Sequence, residues 1–249
     1  MLRLRSKRLH QFGAVVTAAV LLKLFYSSAS VNGLRWILAP TTLLVELVTG
    51  ENFRFEPYAG YINEDHSFLI ADSCSGVNFM IAAFLMLAFL ILAGNRQKDV
   101  RWLAFVGAAA AAYIAALAAN TVRIVLALKQ HGVRTAIIWM NPEQMHRLQG
   151  IFVYFGFLML LYLLYEKIAN SDGRKESGTI LIRPLLPLLI YWLITLGVPI
   201  LNGAYREGGN FAEHIIFVTI TPLVLLAPFV LVDRLQRKLY TLTDRGPIL

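Results

Sequence analysis

Apolar runs of about 18 residues or more recur along this chain, separated by short polar connections. A helical stretch of that length crosses a bilayer. In hydrocarbon every backbone N–H and C=O must be paired within the chain, so runs of this kind fold as helices. Of the 249 residues 57% are hydrophobic and 15% charged, where a soluble domain carries roughly a quarter charged residues. The expected fold class is therefore all-α: a polytopic transmembrane helical bundle, one integral membrane domain over 1–249. Six spans are expected, at about 10–31, 75–94, 102–128, 142–168, 182–202 and 213–232.

The net charge of +8 argues for no nucleic acid, because the basic residues are not pooled on one face. They fall in short clusters between apolar runs, as orientation signals do. Arg3, Arg5, Lys7 and Arg8 precede the first span, and Arg96, Lys98 and Arg101 follow the second. Lys167, Arg174, Lys175 and Arg183 follow the fourth, and Arg234, Arg237, Lys238 and Arg245 follow the last. These connections are expected to be cytoplasmic, with both termini inside. The basic start lacks a convincing small-residue cleavage site and reads as an uncleaved signal anchor. Trp36–Val48 is apolar but short, holds Pro40 and Glu46, and would reverse every later loop if it spanned. It is expected to be interfacial or re-entrant.

This topology brings three polar residues to one depth. Cys74, the single cysteine, opens the second span at its outer end. Arg123 lies 21 residues beyond Trp102, about 30 Å of helical rise, and so near the outer edge of the third span. Asn141-Pro142-Glu143-Gln144 reads as a cap and first turn, which puts His146 just inside the fourth span. Lys23, near the outer end of the first span, reads as a side chain that snorkels to the surface. The alanine-rich run Gly107–Ala119 suits close helix packing in the bundle centre.

A thiol attacks carbonyl carbon as the thiolate, a form favoured by helix N-termini and nearby cations. Asp72 or Ser73 as a cap would leave Cys74 in the first turn of its span. A guanidinium within a membrane segment marks a functional site when it faces the bundle interior, where it can bind a carboxylate or an oxyanion. An imidazole can take and return a proton near neutral pH. Asn120 precedes Arg123 by three residues and shares its face. No zinc-protease motif, phosphate loop or nucleophile elbow is present, and neither metal nor organic cofactor is expected.

Ser73-Cys74-Ser75-Gly76, Asn120-Thr121-Val122-Arg123, and His146 ahead of Gly150-Ile151-Phe152 occur in an order that resembles the exosortase/archaeosortase family of membrane-embedded sorting enzymes. The likeness covers about residues 60–165; residues 182–249, including two additional spans over 182–232, lie outside it. The resemblance implies a cysteine protease/transpeptidase of a bacterial inner membrane, with its active site at the periplasmic face. Its substrates would be secreted proteins with a carboxy-terminal sorting tail: a short motif such as Pro-Glu-Pro, a transmembrane helix and a basic cluster. Cys74 would be the nucleophile, Arg123 the transition-state or substrate stabiliser and His146 the acid/base partner. Ser75 and Gly76 of the same motif would support them, and the spacing itself, rather than the resemblance, suggests that Asn120 orients Arg123. The partners are thus such substrates and the membrane lipids. A non-enzymatic membrane scaffold, or a small transporter with a polar cavity, is the alternative, and acyl transfer to lipid is a third.

Overall fold

The computed structural model describes residues 2–94, 100–131, 142–171, 185–201, 203, 206 and 209–243. The chain forms two compact units, Met1–Gly178 and Thr179–Leu249. The first contains α1 (Leu2–Ser28), α2 (Arg35–Thr49), α3 (Val77–Gly94), α4 (Trp102–His131) and α5 (Pro142–Ser171). Between α2 and α3 lie three short strands, β1 (Phe53–Glu56), β2 (Gly60–Asn63) and β3 (Leu69–Ile70). The second unit contains α6 (Leu185–Trp192), a π-helical turn over Leu193–Gly197, α7 (Val198–Leu201) and α8 (Gly209–Thr243).

Among the described residues five helical stretches are long and apolar enough to cross a membrane: Ser6–Ser28, Asp72–Gly94, Trp102–Gln130, Gln144–Ala169 and Phe211–Pro228. The fold is an all-α polytopic membrane bundle. The expected span over 182–202 is represented by Leu185–Leu201, an apolar helix shorter than the other five; residues 182–184 and 202 lie outside the described ones. Within this unit α6 and α8 meet through a directed bond, in which Trp192 Nε1 donates to the Val218 carbonyl at 3.0 Å. A second bond ties α8 to the π-helical turn, where His214 Nε2 donates to the Thr195 carbonyl at 3.1 Å.

In the first unit α3 is the central helix, with eleven of its 18 residues buried. Helix α1 runs antiparallel to it: Phe12 stacks on Phe89 at one end, with ring centroids 5.3 Å apart, and Lys23 bonds Asn78 at the other. Gln11 donates to the Val100 carbonyl at 2.8 Å, tying the first half of α1 to the segment before α4. On α4 the alanines at 108, 112, 116 and 119 form a buried stripe. Small side chains at this spacing let helices approach closely, and bilayer-embedded helices associate largely through such packing.

The Trp36–Val48 segment is a continuous helix, α2, with Ile37, Leu38, Thr41, Thr42 and Val45 buried. Pro40 has no N–H, so the Trp36 carbonyl four residues earlier has no intrahelical donor. The hydroxyl of Tyr113 on α4 donates to that carbonyl at 2.8 Å, and the Trp36 and Tyr113 rings stack with centroids 5.8 Å apart. Proline chemistry therefore binds α2 to α4.

The sheet is antiparallel in the order β1-β2-β3. Glu46 on α2 accepts a bond from the Phe53 N–H at 2.8 Å, and Arg35 lies over the Phe55 ring at 4.4 Å. Strand β3 passes through Ala71 directly into the turn that carries Cys74. The alternation of apolar and charged residues in Phe53-Arg54-Phe55-Glu56 is the pattern of a half-buried strand.

Tyr113→Phe retains the ring and removes the donor to the Trp36 carbonyl. It is expected to cost about 1–3 kcal/mol, measured by denaturant unfolding in detergent. In a Pro40→Ala background the restored backbone N–H at position 40 supplies the missing donor, so the same substitution should cost much less. Equal costs in the two backgrounds would show that Tyr113 does not answer Pro40.

Candidate functional site

Cys74 closes a 3₁₀ turn, Asp72–Cys74, in which its N–H donates to the Ala71 carbonyl at 2.9 Å and the Ser75 N–H to the Asp72 carbonyl at 3.0 Å. Gly76 follows at φ +72°, and α3 starts at Val77 with Met80 N–H bonded to the Gly76 carbonyl. The sequence-based expectation that Cys74 occupies the first turn of its span is therefore corrected. A left-handed residue separates the thiol from the helix, and the Asp72 carboxylate accepts from the Ser73 N–H at 2.7 Å. Gly76 is required twice. Its backbone angle disfavours any side chain, and a Cβ there would lie 3.3 Å from both Cβ and Cγ of Asn120.

Asn120 is fully buried on α4. Its amide Nδ2 donates to the Cys74 carbonyl, and its Oδ1 accepts from the Tyr154 hydroxyl at 2.9 Å. Arg123, one turn further along α4, donates through Nη1 to the same hydroxyl at 3.2 Å. Through Nη2 it donates to His146 Nε2, also at 3.2 Å. The Gln149 side-chain amide donates to the Arg123 carbonyl at 3.2 Å. Tyr154 stacks on Phe79 of α3, with ring centroids 5.3 Å apart. Three helices and the Cys74 turn thus converge on one polar group of side chains.

The direction of each bond follows from proton inventory. A guanidinium has donors and no acceptor. Tyr154 must accept from Arg123, and its own single proton then goes to Asn120 Oδ1. That fixes the Asn120 amide with its NH₂ toward the Cys74 carbonyl. His146 Nε2 must likewise accept, which places the ring proton of the neutral imidazole on Nδ1. These roles are assigned from the network.

Arg123 and His146 are in direct contact. Asn120 reaches Arg123 through Tyr154. Cys74 joins through its carbonyl, which accepts from Asn120. Among the described residues no hydrogen bond links that thiol to His146. Ser75 is fully buried, and its hydroxyl has no bonding partner among the described residues. The same holds for two more buried atoms in this group, Arg123 Nε and Gln149 Oε1. Gly150 leaves space at that Nε, since a Cβ there would lie 3.4 Å away. The guanidinium edge therefore retains a donor that no described residue of the site uses.

Sequence reasoning missed Tyr154 and Gln149 in the network, and the contacts that Lys23 makes with Asn78 and Tyr26. A signal for Tyr154 existed. His146, Gly150 and Tyr154 recur every four residues, which places them on one stripe of α5. The Lys23 ammonium donates to Asn78 Oδ1 at 2.9 Å, in an exposed contact, and lies over the Tyr26 ring.

Tyr154→Phe preserves the stack on Phe79 and leaves Asn120 Oδ1 and Arg123 Nη1 unpaired. The expected loss is about 1–3 kcal/mol of stability, measured by unfolding in detergent. Asn120→Leu, which strands the Cys74 carbonyl and the Tyr154 hydroxyl, should cost at least as much. An unchanged midpoint in both variants would show that these bonds contribute nothing.

A family model described as "Transmembrane exosortase (Exosortase_EpsH)" matches residues 10–165. No curated protein and no solved structure matches the chain. The match takes in residues 10–28 of α1, which the sequence motifs did not reach, and it contains every residue of the network. Covering more than half of its length, it makes this chain a member of the transmembrane exosortase family.

Proposed function

We propose that this exosortase-family membrane protein is a cysteine protease/transpeptidase. It cleaves carboxy-terminal sorting tails of secreted proteins at the outer face of a bacterial inner membrane, with both of its termini cytoplasmic. The observation that carries this is the bonded set Arg123–His146 and Arg123–Tyr154–Asn120–Cys74. It ties the backbone of the cysteine's turn to an imidazole and to a guanidinium with an unused donor, which supports the reading.

In the resting site Arg123 occupies His146 Nε2, the lone pair that a base needs. A substrate carbonyl oxygen that draws Arg123 toward itself frees that nitrogen. His146 then takes the thiol proton as Cys74 sulfur bonds to the scissile carbon, and charge builds on the oxygen facing Arg123. Collapse of the tetrahedral intermediate breaks the C–N bond, His146 returns the proton to the departing amine, and a thioester remains. An acceptor amine or water attacks the thioester, releases the product and restores the thiol. The substrate's own transmembrane helix holds the sorting motif at the membrane surface. Binding of this kind converts an encounter into a positioned reaction.

The test co-expresses the protein with a secreted reporter bearing a tripartite sorting tail and follows its shortening. Cys74→Ala should abolish processing. Arg123→Ala and His146→Ala should each lower the rate about 10²–10⁴-fold. Added hydroxylamine should intercept the thioester and yield a hydroxamate at the cleaved end. Undiminished processing in Cys74→Ala would sink the proposal in favour of a scaffold.

A further inference from the structure

The three-stranded sheet has two edges, and the chain treats them differently. In an antiparallel ladder successive residues turn their N–H and C=O alternately toward one side and the other. On β1 the Phe53 N–H faces away from β2 and donates to Glu46 Oε1 of α2 at 2.8 Å. Arg35, at the start of α2, lies over the Phe55 ring of the same strand at 4.4 Å. Helix α2 therefore closes the β1 edge, as native proteins commonly do with a row of unpaired backbone groups.

The β3 edge is left open, and it is the one that leads to Cys74. The Asn63 N–H donates to the Phe68 carbonyl at 3.2 Å, in the register that pairs Ile62 with Leu69 and Tyr61 with Ile70. Counting from that bond, Ile70 turns its backbone groups toward β2, and a Cβ at Gly60 would indeed collide with the Ile70 carbonyl oxygen. Leu69 therefore turns its N–H and C=O outward. Ala71 continues the extended backbone, with φ −86° and ψ 179°, and turns its N–H the same way. Its carbonyl accepts from the Cys74 N–H at 2.9 Å. Among the described residues none of the three outward groups has a hydrogen-bond partner. Leu69 is 43% exposed, and Ser67, Asp72 and Ser73 around it are exposed as well.

We propose that this edge, through Leu69 and Ala71, docks the substrate backbone: the segment ahead of the substrate's transmembrane helix adds to the sheet as a fourth strand and is led into the Cys74 turn. The open groups are backbone donors and an acceptor at strand spacing. A helical segment has already spent its own N–H and C=O, whereas an extended one has alternate pairs to offer. Three bonds are too few to hold a second copy of this chain, which needs a far larger interface. They suffice to orient a peptide that its own helix already keeps at the membrane surface. Extension also bares the scissile carbonyl to a nucleophile. The proposal rests on the reading of the chain as a sorting-tail protease and adds the way in which the tail is held.

Disulfide trapping tests the pairing directly. In the full-length protein carrying Cys74→Ala and Leu69→Cys, the single thiol is moved to the edge. The partner is the secreted reporter with its tripartite sorting tail, carrying one cysteine at each of seven successive positions ahead of its transmembrane helix. Residues facing one another on neighbouring strands have Cβ atoms about 5 Å apart, close enough to bridge, while their chain neighbours point to the opposite face. Cross-linking in membranes should therefore peak at one reporter position, recur weakly two residues away and fall between. A uniform yield, a peak recurring every three or four residues, or no cross-link at all would overturn the docked strand.

Leu69→Pro supplies a second arm with Cys74 intact. Proline is tolerated on an edge strand where the missing N–H faces outward, so the β2–β3 ladder keeps its bonds while the docking donor is lost. The reporter concentration for half-maximal processing should rise about tenfold, with the rate at saturation, the unfolding midpoint and the rate of Cys74 alkylation by iodoacetamide changed far less. Should this variant fold poorly, the trapping pattern decides alone. Cys74-dependent processing that ignores Leu69→Pro would overturn the edge and leave the protease standing. Full processing by Cys74→Ala would overturn both.

Discussion

A guanidinium can donate hydrogen bonds and cannot accept one, and the site of this protein is organised by that asymmetry. Arg123 gives one proton to Tyr154 and another to His146. Because Tyr154 has become an acceptor, its hydroxyl proton is committed to Asn120, and the Asn120 amide is committed to the Cys74 carbonyl. One side chain on α4 thus sets the protonation pattern of α5 and the placement of the turn before α3. In a bilayer, where water does not compete freely, such a chain stiffens the site, and an unpaired member is expensive.

The same requirement for paired polar groups shapes the rest of the first unit. Pro40 leaves a carbonyl without its helical donor, and Tyr113 supplies one from α4. Gly76 lets the chain turn left-handed and brings the backbone close enough for Asn120 to reach it. The small sheet ends in the Cys74 turn, and Glu46 of α2 accepts from its first strand. Helix α4 therefore supports α2 at one level and the Cys74 turn at another. The buried alanine stripe makes that closeness possible.

Much of the candidate site was legible in the residues. Arg123 and His146 stand out because ionisable groups within membrane segments are costly, and Cys74 because it is the single thiol and opens a span at the same depth. Charge asymmetry between connections then brought them to one depth with no reference to their chemistry. Tyr154 was harder to see, because a tyrosine in an apolar helix is an ordinary packing residue until an acceptor and a donor flank it. The partner of Lys23 was hidden for a similar reason. A long flexible side chain near a span end can reach the surface, and nothing local announces its bond to Asn78, 55 residues away.

Taken alone, the sequence determined that the chain is a helical membrane bundle, since apolar length and backbone pairing in hydrocarbon permit little else. It also determined which polar residues are exceptional, through the cost of burying them. Tertiary structure alone decided which of them touch, and that the Cys74 turn stands outside α3. It decided too that Arg123 holds His146 Nε2 and that Lys23 bonds Asn78. Periodicity and charge patterning report the depth and face of a residue on its own helix. Contacts depend on the rotation and spacing of neighbouring helices, which packing sets across many residues at once.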